Sequence, residues 1–465
     1  MATTRPDQRR LRRILVGVSL AMFLVDLDFF ALNLAVPSMA RDLRATTTDM
    51  QWVISGYMLT GGALLIPGGR LGDILGRRRM LLTGIAIFGL SSLACGLAPT
   101  KDVVFAFRVV QGMGAALLFP LTIAVITNAF PPERRGAAIG DVYGLAAIGT
   151  AVGPFVGGAI SQHLGWRWVF LFNIPFAALA LALVAGAVGE SRDETAPRRI
   201  DFPGLAAVAG GIAAITFAVD RGQAWGLSSP RTLGLFAAGM ALLAGFVAIE
   251  RRVRFPLVDL SLFRNRPYVA VTLAGMVANV AFCVTTFAST LYLQEVRGLS
   301  PLLAGVVFLA PALCLASAGP LSGYLGARLP ALGVMAMAIA AGGVGLLLVA
   351  SARSWLLYVP AFALFGAGYG LGWSFVSVGT QAVVQPQRAG EASGVTLTVV
   401  VAVAGLCVAV SATVLELLAG PHRSQGTAID DLLRALALGT LVIAASLALY
   451  GRRRRAGTAG VTAST

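Results

Sequence analysis

The chain has 465 residues, of which 57% are hydrophobic and only 12% charged, and its mean hydropathy is +0.81. A water-soluble domain carries about twice that charged fraction, so a soluble enzyme and a disordered scaffold are excluded at the outset. The net charge of +15 does not restore a nucleic-acid reading. The Arg residues sit in short runs between long apolar stretches, which is how membrane proteins record their orientation.

An apolar segment of about 20 residues crosses the roughly 30 Å hydrocarbon layer as a helix, because all its backbone hydrogen bonds are internal. Fourteen such segments follow one another: 14–37, 51–70, 80–98, 103–127, 137–162, 168–189, 203–220, 232–250, 268–293, 302–325, 330–350, 354–376, 393–418 and 432–450. The first follows Arg9, Arg10, Arg12 and Arg13 and is too long for a cleaved signal segment, so it stays as a span. The seventh and eighth are the weakest, short and rich in Gly and Ala; dropping both leaves twelve.

With the N-terminus in the cytoplasm, 25 of the 36 Lys and Arg fall in inward segments, 10 in outward ones, and Arg108 alone lies within a span. That bias satisfies the positive-inside rule with an even number of spans, so both termini are expected to be cytoplasmic. The divisions expected are a cytoplasmic segment 1–13, a six-helix bundle 14–189, two extra helices with their linkers 190–267, a second six-helix bundle 268–450 and a polar, disordered tail 451–465. Arg452 to Arg455 in that tail suit anionic lipid headgroups. Cys95, Cys283, Cys314 and Cys407 lie in apolar stretches and read as small core residues. Two histidines are too few for a His-rich metal centre.

Ionisable residues inside a span are costly and mark functional sites by default. The first span holds Asp26 and Asp28 in FLVDLDFFALNLAVP. Two residues apart on a helix, they point about 200° from each other, so one cavity cannot receive both. Each is either a carboxylate that exchanges a proton or attracts a cation, or a structural hydrogen-bonding acid.

Between spans two and three stands GGRLGDILGRRRML, residues 68–81. Its Gly69, Gly72 and Gly76 permit a tight turn, Asp73 can cap a helix or pair with Arg, and Arg77, Arg78 and Arg79 meet headgroups. Span four carries Arg108, Gln111 and Gly112 in RVVQGMGAALLFP. Arg108 either snorkels to the interface or pairs with an acid, Asp28 being the candidate. Span five reads GLAAIGTAVGPFVGGAI, where Gly149, Gly153, Gly157 and Gly158 allow close helix contact and Pro154 bends the span. Glu391, at the cytoplasmic start of span thirteen, is expected to cap it electrostatically, with a gating role as the alternative, and Glu416 and Asp220 are expected near interfaces. Phe29, Phe30, Phe119, Tyr292, Tyr369, Trp373 and Phe375 are candidate cavity aromatics, with Asn33 and Gln111 as polar partners.

The segments LDFFALNLAVPSMARDL (27–43), 68–81, RVVQGMGAA (108–116) and GTAVGPFVGG (149–158), with LGWRWVFLFNIP (164–175) and RAGEASGV (388–395), stand in order along the chain. Together they resemble the major facilitator superfamily, and its fourteen-span drug:proton antiporter branch in particular. The resemblance implies an all-α membrane protein with two six-helix bundles plus two extra helices, rocking about a central cavity. It further implies that Asp28, with Asp26 second, and Arg108 couple protons. Gly69, Asp73, Gly76, Arg77 and Arg78 would form a gate loop, and Gly149, Gly153, Pro154, Gly157 and Gly158 a hinge. Phe30 stands where the family has a small polar residue, Asp26 is additional, and the echo of the gate at 319–328 has no acid.

The function expected is export of hydrophobic organic compounds, drugs or antibiotics, across a prokaryotic plasma membrane in exchange for protons. No cofactor or catalysis is expected, since no Walker-type loop is present and a proton gradient supplies the energy. The partners are small hydrophobic substrates, protons and the lipid bilayer, with no nucleic acid, and the chain is expected to act as a monomer. A carrier for a single metabolite, as exporter or proton-linked importer, is the alternative.

Overall fold

A computed structural model describes the chain except residues 1–7, 193–200, 227, 254–255, 257, 259, 327, 353, 386–388, 419–423 and 463–465. Among the described residues the regular elements are all helices. In order they form α1 (Gln8–Asn33), α2 (Val36–Asp42), α3 (Thr47–Leu75), α4 (Arg77–Gly96), α5 (Lys101–Ala129), α6 (Pro132–His163), α7 (Arg167–Leu171), α8 (Asn173–Ala187), α9 (Phe202–Trp225) and α10 (Pro230–Glu250). After a short 3-10 turn come α11 (Arg266–Leu291), α12 (Pro301–Gly326), α13 (Ala331–Ser351), α14 (Trp355–Val383), α15 (Ala389–Leu418) and α16 (Gln425–Thr462).

Among the described residues twelve helices are long and apolar enough to cross a membrane. The two remaining spans of the sequence reading fall on α3 and on α12, whose apolar part within this count is the shorter segment Pro301–Leu315. The tail expected to be disordered departs from that reading, since α16 continues without a break through Arg452–Arg455 to Thr462. Nothing after Tyr450 breaks a helix except isolated glycines, each of which costs only about 1 kcal/mol.

The chain divides into two compact units. One comprises residues 1–258 with 298–306, the other 259–297 with 307–465. In the first, α5 lies between α3 and α4 because its glycines admit neighbouring backbones. A methyl group on Gly112 would stand 2.6 Å from the Tyr57 carbonyl, and one on Gly114 2.8 Å from the Phe88 amide nitrogen. Such small-residue contacts are how helices associate where lipid removes the hydrophobic drive between them. α1 packs against α6 and α8, while α9 and α10 pair with each other and α9 also meets α3.

One end of this unit is clasped by polar groups. Asp49 joins Thr46 in a capping box at the start of α3 and accepts a hydrogen bond from Lys101 at 2.8 Å. Asp42 accepts from Trp166 Nε1 at 2.9 Å and from Arg167. The Trp166 bond, followed by that of Arg167, holds the Asp42 carboxyl below the usual carboxylate range.

In the second unit α13 and α14 meet through Gly345 and Gly368, each against backbone of the other helix. Along α14 runs a ladder of rings, Trp355, Tyr358, Phe362, Phe365 and Tyr369, with successive centroids 5.8, 5.6, 5.4 and 5.3 Å apart. Four of the five are fully packed inside the unit. This is apolar burial in which Phe362 and Phe365 stack and the other successive pairs are tilted or edge-on.

Candidate functional site

Asp26 and Asp28 leave α1 on different faces. Asp26 is half-buried and accepts a hydrogen bond from Thr150 of α6 at 3.4 Å. Asp28 is 1% exposed and turns toward α5 and α8. The divergence follows from the 100° step of the helix.

Asp28 is the centre of a buried network, in which Arg108 Nη2 and the Tyr57 hydroxyl are left without a hydrogen-bond partner. Arg108, 0% exposed, donates from Nη1 to Asp28 Oδ2 at 2.5 Å and to Gln111 Oε1 at 2.8 Å, and from Nε to the Val53 carbonyl at 2.7 Å. Its guanidinium lies 4.2 Å from the centroid of the Tyr57 ring. The other carboxylate oxygen, Oδ1, accepts from Asn173 Nδ2 at 2.7 Å and Gln111 Nε2 at 3.3 Å. Both amides also donate to Ser92 Oγ, at 3.0 and 3.4 Å, and Ser92 donates to the Phe170 carbonyl at 3.1 Å.

Of the two readings of Arg108, the structure excludes snorkelling. The residue points inward because a carboxylate, a carbonyl and a ring face together replace the water it loses. Three donors converge on this one carboxylate, whose charge is opposite to that of Arg108.

Asn173, Ser92 and Tyr57 were not singled out from the sequence. Asn173 stood in LGWRWVFLFNIP, noted there only as a resemblance, and its polar side chain amid apolar neighbours was the available signal. Ser92 and Tyr57 carry none, since a hydroxyl or a ring in a span is ordinary.

The glycines of α6 lie on α1. A methyl group on Gly149 would meet the Phe23 carbonyl at 2.7 Å, one on Gly153 Phe30 Cβ at 2.8 Å, and one on Gly157 the backbone of Ala31. Gly158 abuts Pro301 instead, and α6 passes through Pro154 as one helix. Phe30 is half-buried with its ring edge-on to Phe29 at 5.0 Å.

The expected cavity residues divide. Phe119 and Trp373 are half-buried. Asn33 is buried and donates to the Phe29 carbonyl of its own helix at 2.8 Å. Gln111 belongs to the ion-pair network. Tyr369 is packed inside the second unit, its hydroxyl donating to Thr440 at 2.9 Å, rather than lining an open space. Its neighbour Gly342 leaves room for the ring and no more, which is why it packs. Glu416 is exposed, whereas the side chains of Asp220 and Glu391 lie outside the described residues.

At the junction of α3 and α4, Arg77 at the start of α4 bridges Asp73 in the last turn of α3 at 2.7 Å. Gly76 adopts φ +117°, open to glycine and strained for other residues. A side chain there would also strike Glu190, whose Oε1 lies 2.6 Å from the position a methyl group would take. Glu190, which the sequence reading passed over, caps α4 by accepting from the amides of Arg78 and Arg79 at 3.1 and 3.2 Å. In return Arg78 donates to the Ala185 carbonyl at 2.8 Å and Arg10 to the Ala187 carbonyl at 2.9 Å, at the C-terminal end of α8. An acid on a helix N-terminus and cations on a C-terminus both oppose the helix dipoles favourably. Glu190→Ala is expected to cost about 1 kcal/mol of stability, with Glu190→Gln in between, read as thermal unfolding in detergent. Equal melting of all three proteins would refute the cap.

Helices of membrane length and apolar composition, twelve among the described residues, define a multi-pass α-helical membrane protein. The chain matches the Major Facilitator Superfamily over residues 18–409 and belongs to that family. It is 33% identical over 390 residues to the tetracenomycin C resistance and export protein of Streptomyces glaucescens, covering 82% of this chain and 71% of that one. It is 34% identical over 388 residues to the multidrug resistance protein Stp of Mycobacterium tuberculosis, with the same coverage of 82% and 71%. To the puromycin resistance protein pur8 of Streptomyces alboniger it is 36% identical over 404 residues, 84% and 78% of the two chains.

Among solved structures, the POT family transporter PepTSo superposes with a TM-score of 0.72 at 15% identity, over 97% of this chain and 99% of that one. The human organic anion transporter MFSD10 (TETRAN) gives 0.63 at 15% identity, over 95% and 100%. These structures share the fold. Family and relatives alike indicate a transporter rather than an enzyme.

Proposed function

We propose that this chain exports hydrophobic organic compounds, drugs or antibiotics, across the plasma membrane in exchange for protons. Fourteen spans and cytoplasmic termini complete the reading, with α3 and α12 as the two spans added to the twelve. The Arg-rich ends then face inward. Export of toxic compounds is supported by relatives named for resistance and export to antibiotics of different chemistry. Proton exchange is supported by one observation above the others, the fully buried Asp28–Arg108 pair at 2.5 Å.

Charged Asp28 ties α1 to α5 and α8 through Arg108, Gln111 and Asn173. A proton taken up from outside cancels that charge and loosens the three-helix tie. Release to the inside restores it, so α1 packs tightly when the proton has left and loosens when it is bound. Substrate entering from the inner side is carried outward on the same cycle, and the proton gradient drives it. Asp73, Arg77 and Glu190 form the inner latch that opens and closes with each turn.

Expression in a bacterial host lacking its own pumps, against a panel of toxic hydrophobic compounds, tests this reading. The chain is expected to raise resistance to a subset of them, and a protonophore is expected to remove the gain. A gain indifferent to the protonophore overturns proton coupling, and no gain with any compound overturns export.

A further inference from the structure

We propose that Asn173 is the positioning residue for Asp28, the amide that serves this carboxyl group in both protonation states and so sets the pH at which it releases its proton. The proposal rests on the reading of Asp28 as the proton-exchanging acid.

Asn173 is 1% exposed at the first position of α8, and both bonds recorded for its side chain run through Nδ2, to Asp28 Oδ1 at 2.7 Å and Ser92 Oγ at 3.0 Å. The second amide, Gln111, is not its equal. Its bond to Asp28 is longer at 3.3 Å, and its oxygen is held by the Arg108 guanidinium at 2.8 Å. Gln111 cannot turn over without breaking that charge-assisted bond.

A carboxylate only accepts hydrogen bonds, whereas a carboxylic acid has one O–H that must be placed on an acceptor. Around Asp28, Arg108 offers donors alone, and the Ser92 hydroxyl proton is committed to the Phe170 carbonyl. A half-turn of the Asn173 amide presents its oxygen to the new O–H. An amide carries donor and acceptor on one short planar group, and the surrounding network fixes which end faces where.

The charged and titratable groups near Asp28 are Arg108 on α5, Tyr57 on α3, Cys95 on α4 and Asp26 on its own helix. α7 and α8 contribute the neutral Phe170 and Asn173, and α6 lies on the Asp26 side. Replacing Asn173 leaves every one of these charges in place. A change in the pH response therefore reports the amide.

The test is infrared difference spectroscopy of the full chain in lipid, titrated with pH. The carboxyl band that disappears in Asp28→Asn identifies the group. In Asn173→Ala its midpoint is expected to move upward by about one pH unit, because the hydrogen bond lost from the charged form outweighs the one lost from the neutral form. Asn173→Ser, which keeps a polar atom, moves it less. Ser92→Ala, which frees the amide from its second anchor, moves it in the same direction. An unmoved midpoint in Asn173→Ala overturns the proposal, as does an unmoved midpoint in both other variants should Asn173→Ala fail to insert. Absence of any band lost in Asp28→Asn overturns the underlying reading of Asp28 instead.

Discussion

Replacing Asp28 with Asn is expected to abolish proton-driven efflux while the protein still reaches the membrane. The substitution keeps the shape of the side chain and removes its charge. Arg108 is then left 0% exposed, with its guanidinium against an amide, the Val53 carbonyl and the Tyr57 ring but no counter-charge. Breaking a buried pair from one side costs about 3–5 kcal/mol, so thermal unfolding in detergent should fall markedly. Asp26 cannot take its place opposite Arg108, because it faces Thr150 on the other side of the helix.

The double variant Asp28→Asn with Arg108→Gln separates stability from coupling. Removing the orphaned charge should recover part of the lost stability, a non-additive result expected of residues in direct contact. Efflux should stay uncoupled, because no titrating carboxyl has been restored. Strictly additive stability losses would show that the pair does not stabilise the bundle. Undiminished proton-dependent efflux in the single variant would move the coupling role away from Asp28.

The second large effect is expected at Gly157. A methyl group there would stand 2.5 Å from Ala31 Cα and 2.6 Å from its carbonyl carbon, closer still to its oxygen. All three are backbone atoms of α1, so no side-chain rotation relieves the clash and the helices must part. Overpacking ordinarily costs about 1–3 kcal/mol, and Gly157→Val, lying against backbone, belongs at or above that upper bound. Because Ala31 is one turn from Asp28, the same displacement should disturb the network and reduce transport in the protein that remains folded. Gly186 is the control, since nothing lies within 4 Å of the position its methyl group would occupy. Gly186→Ala should be neutral or stabilise the helix by up to about 1 kcal/mol. Melting of Gly157→Val alongside Gly186→Ala would refute the close contact of α1 and α6.

Much of this was legible in one dimension because a bilayer constrains a chain so strongly. Apolar length marks the segments that are able to cross as helices. Asp28 and Arg108 stood out because each is expensive in a span, and expense narrows the partners available to it. The divergence of Asp26 from Asp28 followed from the helical step alone. Tyr369 was misread because an aromatic residue in a span can line a cavity or fill a core, and the choice belongs to its neighbours, here Gly342 and Thr440. The length of α16 was misread for a related reason: a polar composition argues for solvent exposure and says little about backbone conformation.

By itself the sequence determined the class of protein, the line of its apolar helices and the three charges within them, Asp26, Asp28 and Arg108, that needed an account, because burial of charge and of bare backbone is costly at every point along the chain. Only the tertiary structure decided that Asn173 and Ser92 complete the carboxylate's shell from 145 and 64 residues away, and that Glu190 seals the turn at Gly76. Neutral polar groups carry little cost of their own in a helix, so their meaning arises only when packing brings them within hydrogen-bond reach.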